Sequence, residues 1–317
     1  MKKNRHRIAT LAALTTIAAC IVHITNRVVA ASAQLKEMLD FSNHNYFKWR
    51  FGKIYYTKKG KGSPLLLIHD TMPGASGYEW SRIEDKLALE HTVYTIDLLG
   101  FGRSEKPGLT YTNFLFVQML CDFTKEIIKD KTDVIASGFS SSYVIMASMY
   151  DKERFNKLMF INPTNMNALC QTPTEKDKIF KFFVELPVFG TLIYNMVVSR
   201  ETLSNQFINS LYYNPFRVDQ DLMDAYYESA HKGGYYSKYL YTSFASKYMN
   251  INIRHALASL DNSIYIVEGE DEINGSSILE DYCKTNSSIE TAIIKKSKHF
   301  PHIENDEDFL EQVGAFF

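Results

Sequence analysis

The chain has 317 residues, of which 45% are hydrophobic and 22% charged, and its formal net charge is −1. This composition supplies a large core and excludes an intrinsically disordered chain. Acidic and basic residues are interleaved, so no strongly basic surface for nucleic acid is indicated. The four cysteines lie far apart, without the spacing that a zinc site or a disulfide framework needs, and we expect neither a metal nor another cofactor.

The N-terminus combines basic residues with a long apolar run. Residues 1–7 are mostly basic, and residues 8–24 are almost all apolar or small. At about 1.5 Å per residue this run spans about 25 Å, and its continuation to Ala31 reaches the roughly 30 Å of a hydrocarbon core if Arg27 snorkels to the interface. The sequence therefore predicts a signal anchor over residues 1–33, which would make a membrane the partner of this segment.

Two kinds of processing compete with the anchor. Residues 31–33, A-S-A, have the form of a signal-peptide cleavage site, and residues 17–20, I-A-A-C, are similar to a bacterial lipobox. The apolar run continues beyond Cys20, which favours the anchor. The positive-inside rule then places the N-terminus in the cytoplasm and the rest of this single-pass protein outside the cell membrane. A polar linker is predicted over residues 34–45, before a domain that covers residues 46–317.

Strand-like and helix-like segments alternate along this domain. The predicted strands are two that meet at Gly52 within residues 47–59, and then residues 64–69, 91–98, 133–136, 157–162, 263–269 and 290–295. The predicted helices are residues 79–89, 113–128 with Thr112 as cap, the segment after residue 142, 277–284 and 306–317. Such alternation predicts an α/β fold with a mostly parallel sheet and helices on both faces.

The alternation stops between about residues 165 and 260. Aromatic residues recur there at helical spacing, among them Phe180, Phe183, Tyr226 and Tyr241. We predict a helical insertion that forms a lid over the strand ends. An aromatic lid beside a membrane anchor favours an apolar small-molecule substrate.

Residues 132–149 predict a strand, a sharp turn and a helix, with a serine at the apex. Ser140 has a small residue two positions away on each side, Gly138 before it and Ser142 after it. Small neighbours allow strand and helix to approach, so that a strained turn holds the hydroxyl out of the sheet. The N–H of Ser141 would then point at whatever bonds to the serine. A serine-rich helix N-cap is the alternative interpretation.

A second motif lies at residues 97–107, D-L-L-G-F-G-R-S-E-K-P. Together, this segment and the turn at Ser140 resemble two motifs of the α/β-hydrolase superfamily. In that superfamily the turn that carries the nucleophile, called the elbow, normally reads G-x-S-x-G. The segment at residues 97–107 matches a loop that reads D-x-x-G-x-G-x-S-x-x-P. The resemblance covers about residues 45–164 and 260–317. It implies an α/β-hydrolase fold in which a serine, an acid and a histidine follow one another along the chain.

The resemblance also assigns the acid and the base. The acid follows the strand after the insertion, where Glu272 matches the family position and Asp271 is the alternative. The base follows the last strand, where K-H-F-P-H-I-E is similar to the family ending and assigns His299. Ser140 would attack a carbonyl carbon while His299 takes its proton and Glu272 orients the imidazole.

The oxyanion hole is expected from the backbone N–H groups of Ser141 and Thr71. In the family, a glycine follows the histidine at the end of the early strand, whereas this chain has Asp70 after His69. The aspartate puts a side chain where glycine leaves room for the substrate.

These assignments imply a membrane-tethered serine hydrolase that acts on an ester or thioester of an apolar acyl group. A serine at the apex argues against epoxide hydrolases and haloalkane dehalogenases, which resemble this fold but use aspartate. An acyltransferase with the same triad is one alternative. A catalytically silent member used for binding is the other, and it is favoured by the departures from the family pattern at Asp70, Ser142 and Lys298.

Overall fold

The computed structural model describes residues 2–40 and 45–317, so part of the predicted linker, residues 41–44, lies outside the described residues. Its strands are β1 (Asn45–Trp49), β2 (Gly52–Lys59), β3 (Ser63–Ile68), β4 (His91–Ile96), β5 (Thr132–Ser137), β6 (Phe155–Ile161), β7 (Ile264–Gly269) and β8 (Glu290–Ile294). They form one eight-stranded sheet in the order β1-β2-β4-β3-β5-β6-β7-β8. Only the pairings of β2 with β1 and β4 are antiparallel. The predicted mostly parallel sheet is confirmed.

The central strands are buried on both faces. Residues 65–68 of β3 and 134–136 of β5 are fully buried, because helices cover both sides of a parallel sheet and leave no solvated face. The helices are α1 (Lys2–Ala33), α2 (Glu84–Leu87), α3 (Asn113–Phe123), α4 (Ser141–Tyr150), α5 (Met166–Leu169), α6 (Glu175–Glu185), α7 (Phe189–Val197), α8 (Arg200–Gln206), α9 (Gln220–Lys232), α10 (Ser237–Ala245), α11 (Arg254–Ala258), α12 (Gly275–Thr285), α13 (Pro301–Glu304) and α14 (Asp306–Phe316).

Two predicted helices differ from the structure in detail. The segment predicted as one helix over residues 79–89 is a 3₁₀ turn, Gly77–Trp80, followed by the short α2. The helix predicted over residues 113–128 is α3 followed by a π-helical turn, Thr124–Ile128. Its predicted cap is confirmed, since the Thr112 side chain accepts from the N–H of Leu115.

The helical insertion, α5 to α11, lies between β6 and β7 and covers the carboxyl ends of the strands. Phe244 of α10 packs edge-on against Phe139, which follows β5, with ring centroids 5.4 Å apart. The hydroxyl of Ser229 in α9 accepts the N–H of Gly102 at 2.9 Å. Helices α9 and α10 therefore cover the carboxyl edge of the sheet.

Helix α1 begins the described chain and carries most of its apolar residues on the outside. Among the described residues, one helix is long and apolar enough to cross a membrane by length and composition, His6–Ala33, with a mean hydropathy of 2.0. Its last part touches the domain, where Ala33 packs with Leu203 and Tyr227 of the insertion.

Candidate active site

The strained residue of the turn after β5 is Gly138. Its φ is +54°, in the left-handed region that favours glycine. Ser140 has ordinary helical angles, φ −64° and ψ −20°, immediately before α4. The turn lies two residues earlier than the sequence predicted, so Gly138 stands at the apex where Ser140 was expected. Ala136 and Ser140 are the small residues that flank it.

Ser140 joins the ends of β3 and β5. Its Oγ donates to the carbonyl of His69 at 2.7 Å and lies 2.9 Å from Oγ1 of Thr71. Because its single proton goes to the carbonyl, Ser140 accepts from the threonine. Within residues 2–40 and 45–317, the structure does not bring Ser140 Oγ into hydrogen-bond contact with His299.

The N–H of Ser141 is also engaged locally. It donates to the carbonyls of Gly138 and Phe139 within the first helical turn. Ser141 is therefore not one of the donors that face the centre of the site, contrary to the prediction. The corresponding donor is the N–H of Phe139, the residue that follows the strained glycine.

Asp70 supplies the functional group at this point. The backbone of Asp70 is fixed at both ends, because its N–H donates to Glu79 Oε2 at 3.0 Å and its carbonyl accepts from His69 Nδ1 at 2.6 Å. The tautomer of His69 follows from its second contact, since Nε2 accepts the N–H of Leu98 at 3.1 Å. Burial lowers the pKa of His69, which keeps the ring neutral for this role.

The carboxylate of Asp70 lies against two converging backbone donors. Its Oδ1 accepts from the N–H of Thr71 at 2.6 Å and from that of Phe139 at 2.8 Å. Two N–H groups directed at one oxygen form an oxyanion hole, and here a side chain of the protein itself occupies it. Thr71 thus lies where the sequence predicted a donor, with Phe139 as its partner.

Gly138 leaves the space that this carboxylate fills. A Cβ at position 138 would overlap Oδ1 of Asp70, and the nearest atoms around it all belong to that carboxylate. A side chain on the strained turn and the aspartate on the neighbouring strand end therefore exclude each other.

His299 lies between two carboxylates. Its Nε2 is 3.0 Å from Asp70 Oδ2, and its Nδ1 is 3.4 Å from Glu272 Oε2. Burial alone would lower the pKa of His299, but the two carboxylates outweigh it and raise the pKa to about 10. The imidazole is therefore a cation at neutral pH. The structure brings Glu272 and His299 together, while Asp271 is exposed beside them.

Two tyrosine hydroxyls lie near the same carboxylate. Tyr143 of α4 and Tyr226 of α9 are fully buried, and the hydroxyl of Tyr143 lies beside Thr71 while that of Tyr226 lies beside Glu79. Burial raises the pKa of both hydroxyls well above the usual range; the charge of Asp70 adds to the rise for Tyr143, and the charges of Glu79 and then Asp70 add to it for Tyr226. Both groups therefore remain protonated and can donate.

A small cavity of about 10 Å³ lies beside Thr71, under α9 and α10. It has room for about one water molecule. Lys106, one of its lining residues, donates to the carbonyl of Gly102 at 2.7 Å. Burial lowers the pKa of Lys106 to about 7. Because the cavity holds only about one water molecule, a larger ligand at this place requires the insertion to move away from the strand ends.

The sequence contained signals for the residues that were missed. Gly138 follows directly on the apolar run of β5, and Ala136 and Ser140 flank it at the spacing that a tight turn needs. The sequence shows Asp70 as a departure from the family pattern, whereas its fit into the space above Gly138 depends on two strands that are distant in sequence.

A family model for the α/β hydrolase fold matches residues 64–306, more than half of the chain. The chain therefore belongs to the α/β-hydrolase family, and the predicted fold class is confirmed.

Curated relatives align over a part of the chain. The 2-hydroxy-6-oxo-6-(2'-aminophenyl)hexa-2,4-dienoic acid hydrolase of Metapseudomonas resinovorans is 30% identical over 113 residues, which are 35% of this chain and 39% of that protein. The soluble epoxide hydrolase of Corynebacterium sp. (strain C12) is 30% identical over 109 residues, which are 34% of this chain and 37% of that protein. The aligned segments thus span less than two fifths of these relatives, which are both hydrolases.

A solved structure extends the likeness to nearly the whole chain. A membrane phospholipase A superposes with a TM-score of 0.68 at 17% identity, covering 98% of this chain and 97% of that one. At this identity the similarity shows a shared fold.

Proposed function

We propose that this protein is a hydrolase in which Asp70 is the nucleophile and His299, paired with Glu272, activates water. One observation carries the proposal: Asp70 holds one carboxylate oxygen in the oxyanion hole and presents the other to His299 Nε2 at 3.0 Å. The sequence-based argument against aspartate chemistry assumed a serine at the apex, and the apex residue is Gly138.

The first step would form an ester on the aspartate. Oδ2 of Asp70 attacks a carbon of an apolar epoxide, the carbon–oxygen bond of the ring breaks, and the leaving oxygen takes a proton from Tyr226 or Tyr143. An epoxide suits this centre because the tyrosine hydroxyls are protonated donors beside the carboxylate. The epoxide hydrolase among the relatives supports the same class of substrate.

Ester formation would convert His299 from a cation to a base. Because the ester carries no charge, one of the two carboxylates that raise the pKa of His299 is lost. The imidazolium then gives its proton to the tyrosinate, and the neutral ring takes a proton from water. Hydroxide adds to Cγ of Asp70, and the N–H groups of Thr71 and Phe139 stabilise the oxyanion on Oδ1. The bond from Cγ to the substrate oxygen breaks while that oxygen takes the proton from His299, which releases the diol. The aspartic acid left behind gives its proton to His299, which restores the carboxylate and the imidazolium.

Single turnover in ¹⁸O-labelled water tests this mechanism. With excess enzyme and an epoxidised fatty acid, such as 9,10-epoxystearate, we expect ¹⁸O in the peptide that contains Asp70 and a diol as product. The Asp70→Asn variant should form no diol, while Ser140→Ala should retain turnover. Turnover without label in this peptide would exclude the aspartyl ester.

Two other functions predict different results. If the protein is the predicted serine hydrolase or acyltransferase, a fluorophosphonate probe should label it, and the substitution Ser140→Ala should abolish that labelling. A silent binding protein is favoured by the occupied oxyanion hole and the cavity of about 10 Å³. If the protein is such a binding protein, it should bind the epoxide, but the fluorophosphonate probe should not label it and no diol should form.

We also propose that α1 tethers this hydrolase to the cell membrane. Its apolar residues from Ile8 to Ile24 are exposed, and its length fits a bilayer. The full chain should sediment with vesicles, and a variant lacking residues 1–33 should stay in the supernatant. Sedimentation of both forms would remove the tether argument.

A further inference from the structure

Helices α6 and α7 expose a continuous apolar surface. Its large side chains are between 40% and 66% exposed, and they are Ile179, Phe182, Phe183, Phe189, Ile193 and Met196. Phe182 and Phe183 are in edge contact, with ring centroids 5.7 Å apart. Water-soluble surfaces rarely expose a contiguous apolar patch of this kind, and such a patch marks an interaction surface.

Helix α1 is joined to this surface at the corner between α6 and α7. Asn26 of α1 is buried, donates to the carbonyl of Val188 at 3.0 Å and accepts from Asn195 Nδ2 at 3.0 Å. Most of the exposed apolar residues of α1, from Ile8 to Ile24, lie on the N-terminal side of Asn26. Asn26 thus links the helix that carries one apolar surface to the corner between the two helices that carry the other.

The corner itself is a strained, sharply bent segment. The axes of Glu175–Glu185 and Phe189–Leu211 meet at 107°. Val188 has a φ of +62°, a costly conformation for a β-branched residue, and its carbonyl is held by Asn26. The contact from α1 therefore helps to fix the direction in which the apolar faces of α6 and α7 point.

The segment after α1 is joined to the insertion a second time. Lys36 and Arg200 both pair with the carboxylate of Asp224 in α9. The N–H of Met38 donates to Glu228 Oε2 at 2.6 Å. Helix α9 also carries Tyr226, so the segment that leaves α1 contacts the helix that faces Asp70.

We propose that the apolar face of α6 and α7 binds the acyl region of a phospholipid bilayer, against which α1 holds it. The proposal rests on the tether proposed above. Its basis is the continuity of this face with a helix of membrane-spanning length and the polar contacts that fix one to the other. The insertion then borders the lipid, and an apolar substrate reaches the strand ends from the bilayer when α6 and α7 move.

Tryptophan variants in vesicles test this surface. Phe182→Trp is placed in the full chain and reconstituted in phosphatidylcholine vesicles with or without brominated acyl chains, which quench tryptophan on contact. The matched controls are Leu14→Trp in α1 and Leu89→Trp, an 82% exposed position after α2. The two native tryptophans, Trp49 and Trp80, are buried and give the background.

We expect bromine to reduce the added fluorescence of Phe182→Trp and Leu14→Trp by at least about twofold, since both would lie within the acyl region, and to leave Leu89→Trp unchanged. If bromine quenches Leu14→Trp but not Phe182→Trp, the proposed membrane contact of α6 and α7 is wrong and the proposed α1 tether is retained. No quenching of either variant would overturn both. A blue shift of Phe182→Trp that depends on protein concentration, without bromine quenching, would assign the face to a second copy of the chain.

Discussion

The carboxyl ends of β3 and β5 are neighbours in the sheet and contribute different parts of one site. The end of β5 contributes backbone, namely the strained turn at Gly138 and the N–H of Phe139. The end of β3 contributes a side chain, the carboxylate of Asp70, which fills the space above the glycine. In this chain the buried carboxylate and the strained turn therefore belong to different strands. An elbow with glycine at its apex therefore still provides the two backbone donors of an oxyanion hole.

The largest loss of stability is expected for a variant in which both strand ends carry a side chain, Asp70 on one and a new residue at position 138 on the other. Gly138→Ser adds a Cβ that overlaps the Asp70 carboxylate, on a backbone with φ +54°. We expect a loss of about 2–4 kcal/mol in the free energy of unfolding, from overpacking and strain together. Urea denaturation of the variant and the wild type measures it. Unchanged stability would contradict the close contact of the two strand ends.

The double variant Asp70→Gly, Gly138→Ser exchanges the roles of the two strands. It removes the overlap, empties the oxyanion hole and places a hydroxyl at the apex beside His299. We expect fluorophosphonate labelling and a p-nitrophenyl ester hydrolysis rate at least about 100-fold above that of the wild type, because an open donor pair alone contributes about this much. Asp70→Gly alone, which has no apex hydroxyl, is the control. Equal labelling of both variants would show that the apex is not the reactive position.

The sequence predicted the parts of this site that depend on local order. Glu272 and His299 each follow a strand at a recognisable place, and Thr71 follows the end of β3, so local order predicts where these groups lie, and the structure places them around Asp70. Their catalytic roles stay predictions. The apex was placed on Ser140 because a serine was expected there, although β5 ends at Ser137 and the next residue makes the turn. The fit of Asp70 over Gly138 is a contact between residues 68 positions apart in sequence, which no local pattern contains.

A smaller effect, on the pKa of His299, is expected when an uncharged amide replaces the carboxylate of Asp70. Asp70→Asn removes one of the two charges that raise the pKa of His299 to about 10. We expect this pKa to fall by at least about one unit, equivalent to about 1.4 kcal/mol. Titration of the ring by nitrogen NMR measures it directly. Asp271→Asn, an exposed neighbour of Glu272, should leave the pKa unchanged.

The ion pair of Asp70 and His299 also makes the free energy of unfolding depend on pH. Because the pKa of His299 is about 10 in the folded chain and 6.5 ordinarily, its stabilisation is complete below about pH 6.5 and is lost as the pH rises through about 10. The difference in unfolding free energy between wild type and Asp70→Asn should therefore shrink between pH 6.5 and 10. A difference that grows over this interval would contradict the ion pair.

The smallest effect on turnover is expected at Ser140, which contacts both strand ends without facing His299. Ser140→Ala removes the hydrogen bond to the His69 carbonyl and the contact with Thr71. We expect a loss of about 1–2 kcal/mol in unfolding free energy, and epoxide turnover within about twofold of the wild type, because the reacting carboxylate keeps both backbone donors. Ser142→Ala is the matched control, since the equally buried Oγ of Ser142 accepts one hydrogen bond from Asn113. If Ser140→Ala abolishes turnover while Ser142→Ala does not, the reaction depends on the serine hydroxyl and the assignment of Asp70 as nucleophile is wrong.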